Sequence, residues 1–279
     1  MLSRRLIADG VVSDHELLVP RAVSRDELLR VHTAEYVHRL ENGRMTAKEM
    51  RRIGLPWSLE LVERARRSVG ATVQSGFAAA KEQLAVSLSG GTHHAFADRG
   101  EGYCMFNDVA VAARALQEAG KAGKILVIDA DVHQGNGTAV IFRDDPTVFT
   151  FSLHGKNNFP LCKEPGDLDV ELADGTGDEA YLSALQQGLE RIGERFSPEM
   201  AFYLAGADLH RGDRYGRMAL TKKGLALRDR QVLTFCRKHR LPVAVTMAGG
   251  YGRDIADTVD IHVETVRICK REMRTREST

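Results

Sequence analysis

Asp129, Asp131 and His133 stand two residues apart, directly after the apolar run Ile125–Ile128. In an extended segment that spacing turns all three side chains to one side. Two carboxylates and an imidazole gathered at the end of a buried strand are costly unless something compensates their charge. A divalent cation is the expected partner. Zinc accepts histidine nitrogen and carboxylate oxygen, and its catalytic sites use three protein ligands and keep one position for water. Asp131 and His133 supply two ligands, and Asp208, at the end of a separate apolar run, supplies the third. Taken singly, Asp129 reads equally well as a helix cap and His133 as a hydrogen-bonded polar residue. Five strand ends bearing such residues together favour the metal.

Two further features have chemical potential. His93 and His94 follow Gly90-Gly91, and neighbouring histidines both reach a cleft only from an irregular loop. Their near-neutral pKa suits proton transfer. Tyr251 lies in Gly249-Gly250-Tyr251-Gly252, where a flexible turn can bring a phenol to a carbonyl oxygen that gains charge. Isolated, a His-His pair is more often incidental and Gly-Gly-Tyr a surface turn. Their place at neighbouring strand ends gives them weight. Gly135-Asn136-Gly137 lets the backbone pass close beneath the site; it is no phosphate loop, because the lysine and hydroxyl of that motif are missing.

Positioning these residues requires a scaffold. Short apolar runs occur at Ala85–Leu88, Ile125–Ile128, Val148–Phe151, Met200–Leu204 and Val243–Met247. Amphipathic helices alternate with them over Val109–Ala119, Glu179–Phe196 and Lys222–His239. Earlier, a capping box at Ser24–Glu27 opens a helix expected to run through Leu40, and another follows Pro56. The alternation predicts a single-domain, three-layer α/β/α fold over residues 1–279 with a mostly parallel sheet. In such sheets the binding crevice lies beyond the carboxyl ends of the strands, where the candidate residues fall.

Composition excludes several classes. The chain has 279 residues, with 39 Lys+Arg against 38 Asp+Glu, so a net charge of +1 creates no bulk attraction for nucleic acid or anionic membrane. The basic stretch 267–276 reads as a solvated helix end. Four scattered cysteines lack C-x-x-C spacing and suit a reducing cytoplasm. No apolar run approaches the ~18 residues of a membrane span, and none serves as a signal peptide. A cytoplasmic location follows as the expectation.

In order, Gly91 to Asp108, Asp129 to Gly137, Ala205 to Asp208 and Gly249 to Tyr251 resemble the histone deacetylase family of the arginase/deacetylase fold, as does the early helix Leu29–Val37. The Asp-Val-His-Gln-Gly-Asn-Gly form and Gly212–Met218 look most like class IV members and bacterial relatives. The resemblance implies one catalytic zinc on Asp131, His133 and Asp208. It implies His94 as general base with His93 as an electrostatic helper, and Tyr251 as the group that polarises the scissile carbonyl. Gly102 and Tyr103 match the wall of an acyl-lysine tunnel, to which Phe159 is added. Asp129 and Ser152 match a structural potassium site, and Asp129 also orients His93. The implied substrates are acylated lysine, an acylpolyamine or a small N-acyl amine.

Two departures stand out. Many family members carry aspartate where Asn136 stands, which leaves His94 less support for a positive charge. The strand and loop that usually precede the segment matching Arg4–Gly10 are absent from this sequence, so either the tunnel mouth is more open or this chain starts late. An arginase-type site with two manganese ions would need Asp-x-His-x-Asp and Asp-x-Asp, whereas Gly135 and His210 occupy the decisive places. The other rival is a non-catalytic acyl-lysine or polyamine binder on the same scaffold.

Overall fold

The computed structural model describes residues 1–277; Ser278 and Thr279, the end of the expected domain, lie outside it. Among the described residues six strands form one sheet: β1 (Leu84–Ser87), β2 (Ile125–Asp129), β3 (Val148–Gly155), β4 (Leu168–Leu172), β5 (Met200–Ala205) and β6 (Val243–Met247). Their spatial order is β1-β6-β5-β2-β3-β4, and all five pairings are parallel. Parallel strands buried on both faces need near-continuous apolar sequence, and β2, β5 and β6 are buried at every position.

Ten α-helices of the described residues accompany the sheet: α1 (Leu2–Ala8), α2 (Arg25–Leu29), α3 (Ala34–Glu41), α4 (Ala47–Ile53), α5 (Leu59–Glu82), α6 (Asp108–Glu118), α7 (Asn136–Phe142), α8 (Asp178–Arg195), α9 (Lys222–Lys238) and α10 (Ile255–Glu277). Side-chain alternation along each strand divides the interior into two cores. Ile125, Val127, Phe202 and Leu204 pack with α3, α5 and α6. Leu126, Ile128, Ala201 and Tyr203 pack with α8, α9 and α10. Helix, sheet and helix therefore form the three layers expected from the sequence.

Three elements depart from the expectations. The helix opened by Ser24 stops at Leu29, and a second begins at Ala34 because Thr33 accepts a hydrogen bond from the Tyr36 amide and starts its own cap. Strand β4 carries Asp169 and Glu171 between apolar residues, so it lacks the continuous apolar run of the buried strands; as an edge strand it needs none. Helix α7 begins inside Gly135-Asn136-Gly137, which as sequence reads only as a turn. The basic stretch near the C-terminus belongs to α10, where Arg267 and Lys270 tie back to Asp9 and Glu16. Among the described residues, no helix is long and apolar enough to cross a membrane.

Candidate active site

The carboxyl ends of β1, β2, β5 and β6 deliver the polar segments to one rim of the sheet. Beyond β2 the chain leaves the sheet, so a loop rather than strand geometry sets the directions of Asp131 and His133. One ligand atom from each of Asp131, His133 and Asp208 comes within 4.8 Å of the others. His133 Nδ1 stands 2.9 Å from Asp131 Oδ1 and 3.2 Å from Asp208 Oδ2. Backbone amides hold the remaining oxygens: Gly249 N–H donates to Asp131 Oδ2 at 2.7 Å and Val132 N–H to Asp208 Oδ1 at 3.0 Å. A Cβ at Gly249 would collide with Asp208 Oδ2 and Asp131 Oδ2, so the approach requires glycine there.

The electrostatics of this cluster call for a cation. Asp208 Oδ2 is buried and accepts no hydrogen bond, its approach to His133 being misaligned. Burial, reinforced by the Asp131 charge, pushes the Asp208 carboxyl up. Burial lowers His133, but its hydrogen bond to Asp131 and the adjacent Asp208 carboxylate outweigh that and raise it to about 10. Two buried carboxylates draw a proton onto the histidine between them. A divalent ion with nitrogen and oxygen ligands would supply the same charge with better geometry, so the residues present fit zinc.

Beside the cluster lies the histidine pair. His93 Nδ1 meets Asp129 Oδ2 at 2.6 Å, His94 Nδ1 meets Asn136 Oδ1 at 2.7 Å, and the two Nε2 atoms are 3.1 Å apart. Burial opposes charge on both rings. For His93 the Asp129 carboxylate overcomes it and raises the pKa to about 9. For His94 burial is followed by repulsion from His93 and His133, and the pKa falls well below its ordinary value. Only an amide oxygen faces His94 Nδ1, so that nitrogen carries the hydrogen and Nε2, 3.1 Å from His93 Nε2, keeps its lone pair.

A cavity of about 660 Å³ opens from these groups to solvent. Gly102, Tyr103, Phe159 and Tyr251 all line it. The rings of His94 and Phe159 meet edge to face at 4.9 Å. Gly102 has φ of +52°, and a Cβ there would stand 2.6 Å from His94 Cδ2. Tyr251 is 42% exposed and packs against Tyr103 and Tyr215 at 5.8 and 5.2 Å. Burial, with Tyr103 next, pushes its phenol up to about 12 and keeps it a proton donor. Ser152 does not join this group: it pairs in register with Asp129 across β2 and β3, and its hydroxyl meets His154 Nδ1 at 2.8 Å.

Residues Met1 to Val266 match the model of the histone deacetylase domain. This chain belongs to the histone deacetylase family. It is 45% identical over 262 residues to an uncharacterized protein of Picosynechococcus sp., covering 94% of this chain and 87% of that one. Histone deacetylase 2 of Arabidopsis thaliana is 28% identical, with 91% and 69% covered. The crystal structure of an HDAC homologue complexed with SAHA superposes with a TM-score of 0.85 at 27% identity, covering 97% of this chain and 76% of that one. Membership implies a deacetylase, a hydrolase of a family that is zinc-dependent in general.

Several further residues hold this deacetylase site together. Asp213 accepts from the Tyr251 amide at 2.6 Å through Oδ2, and from the Tyr215 and Gly216 amides through Oδ1. Asn107 caps α6 and donates to the Ala95 carbonyl at 3.0 Å. Asp108 accepts from the Gly91 and Thr92 amides. Fully buried Arg228 donates to the carbonyls of Ala130 and Gly206, beside two of the cluster residues, and is paired with Asp229 at 2.8 Å. Asn107 has a readable signal in its cap position before α6. For Arg228, in the middle of a polar-looking helix, nothing in the sequence distinguishes it from a solvated arginine.

Proposed function

We propose that the protein is a zinc-dependent amidohydrolase that removes acetyl or other acyl groups from lysine-like amines. The observation that carries this reading is the meeting of the Asp131–His133–Asp208 cluster and the His93–His94 pair at the floor of one cavity. Asp131, His133 and Asp208 would hold the zinc, which when bound polarises a carbonyl and brings water's pKa towards ~7. A single potassium ion near Asp129 and Ser152 belongs to the same reading, as does one catalytic domain spanning the chain.

The chain's own groups supply the remaining chemistry. The acyl-amine arm lies between Tyr103 and Phe159 along Gly102, which places the carbonyl near Tyr251. His94 Nε2 takes the proton of the attacking water as the carbon–oxygen bond forms. Tyr251 donates its phenolic hydrogen bond to the carbonyl oxygen as negative charge develops there. The carbon–nitrogen bond then breaks as the histidine pair gives a proton to the amine. Asp129, bonded to His93 at 2.6 Å, favours a charged His93 whose Nε2 stands 3.1 Å from that of His94. The products are a carboxylate and a free amine.

The test is acetate release from an acetyl-lysine peptide by zinc-loaded protein, with and without chelator. Chelation should abolish turnover and zinc should restore it. A zinc-loaded sample that binds the peptide yet releases no acetate would leave only a binder on this scaffold.

A further inference from the structure

The carboxylates lining the cavity are those of Asp131 and Asp208, both in the metal cluster at its floor. Its other charged lining residues, apart from the histidines, are Arg51, Arg52 and Arg217. The chain as a whole carries a net charge of only +1, so this is a local concentration and not a general excess. Arg217 is partly neutralised by Asp174 at 3.1 Å, in a pair exposed to solvent. Among the described residues, Arg51 and Arg52 have no carboxylate within 4.0 Å. Both guanidinium groups are exposed at the mouth.

Their position is held from below. Arg51 and Arg52 form the last turn of α4. The carbonyls of Arg52 and Ile53 accept hydrogen bonds from the Gly102 and Tyr103 amides at 3.2 and 2.7 Å. The arginines are thereby fastened to the turn that walls the cavity. Favourable interaction with the C-terminus of a two-turn helix would account for basic residues in that turn. It does not account for both lining the cavity while no carboxylate above the metal cluster lines it.

We propose that the substrate carries a carboxylate on the part left outside when its acyl-amine arm enters the cavity, and that Arg51 and Arg52, assisted by Arg217, bind it. This rests on the deacylase reading above and names its substrate class. A guanidinium fork matches a carboxylate in shape and charge. A polyamine, or a lysine-rich peptide, would bring like charge to the same rim. The carboxylate belongs either to a free acylated amino acid or to acidic residues flanking an acyl-lysine.

The experiment compares two acetyl-lysine peptides that differ only in glutamate or lysine flanks, with the zinc-loaded full chain. Exposed pairs are individually weak, but attraction for one peptide and repulsion for the other should give roughly 10-fold higher kcat/KM for the acidic one at low salt. In about 0.5 M salt the ratio should fall towards about 2, because the screening length drops well below the width of the mouth. The double substitution R51E/R52E should invert the preference; R51Q/R52Q should abolish it, and serves if the charge reversal does not fold. Free acetyl-lysine against its carboxamide then distinguishes the small acid from the peptide. Equal or better turnover of the basic peptide, or an unchanged ratio in both variants, overturns the proposal. If neither peptide is hydrolysed, the deacylase reading fails separately. Fluorescence anisotropy of the two labelled peptides still decides the rim: tighter binding of the acidic one supports it, and equal or weaker binding overturns it.

Discussion

The floor of the cavity is closed, acidic and cross-tied, whereas its mouth is open, basic and held mainly through the backbone. At the floor, Asp129, Asp131, His93, His94 and Asp208 are each 5% exposed or less, and their positions are set by named hydrogen bonds. At the mouth, Tyr103, Tyr215 and Tyr251 are 46%, 52% and 42% exposed, and the arginines reach into solvent. Charge buried in low dielectric acts strongly and must be positioned accurately; charge at a wet rim acts weakly and tolerates movement. Reaction type should therefore reside in the floor and substrate choice in the rim.

The sharpest way to break that division is His94→Ala. It should lower kcat about 100-fold or more with the circular dichroism spectrum unchanged, as expected for a lost general base. Near-normal turnover would move the proton transfer elsewhere. Next comes the layer under the floor. Arg228→Met strands Asp229 without its buried partner and should cost about 3–5 kcal/mol, read as a melting temperature lower by roughly 10 °C. An unchanged melting curve would show that the pair contributes nothing to the support of the Gly206 and Ala130 loops.

A third test concerns the histidine that ties the floor to the helical layer. His32 Nδ1 meets the Phe96 carbonyl at 3.0 Å, and its Nε2 accepts from the Asn107 amide at 3.0 Å. The Nε2 bond requires the neutral ring, whereas the Nδ1–H donation to Phe96 survives protonation. Burial lowers its pKa to about 4, against weaker raising by the backbone at Phe96 and Ala97. The unfolded chain binds this proton first, below about 6.5. Stability is thus full above pH ~6.5 and falls as pH drops towards about 4, by about 3 kcal/mol from this group. Urea titrations across that window should show a shallower loss for His32→Gln; parallel curves would exclude His32 as the titrating group.

The smallest expected effect sharpens the role of Asn136. Asn136→Asp puts a carboxylate on His94 Nδ1, favours the imidazolium and should move the acidic limb of kcat/KM up by roughly one pH unit. A shift in the opposite direction would mean that His94 does not act as the base.

Legibility in the sequence differs between the same two regions. The five strands other than β4 announce themselves as apolar runs, and the floor residues follow three of them, β1, β2 and β5. Asp129–Asp131–His133 is readable because its members are close in sequence and of unusual type for their surroundings. Asp213 carries no such signal: an aspartate in a polar loop resembles any other until folding sets the Tyr251 amide beside it. Arg228 looks like a solvated residue because its partners, the Ala130 and Gly206 carbonyls, come from two distant loops. Strand β4 and helix α7 are equally hard to read, because an edge strand lacks a continuous apolar run and Gly135-Asn136-Gly137 signals a turn.

Sequence alone determined the layers of the fold, the family and the residue types at the floor, because burial periodicity and local spacing survive in one dimension. The sequence offered Asp208 as a partner of Asp131 and His133, but only the tertiary structure decided that one of its oxygens is left unpaired there, since β5 and β2 must pair before their loops can meet. It also decided which His94 nitrogen faces Asn136 and that the last turn of α4 carries two arginines to the mouth. Those facts depend on through-space contact between segments far apart in the chain, and no pattern along the chain encodes such contacts directly.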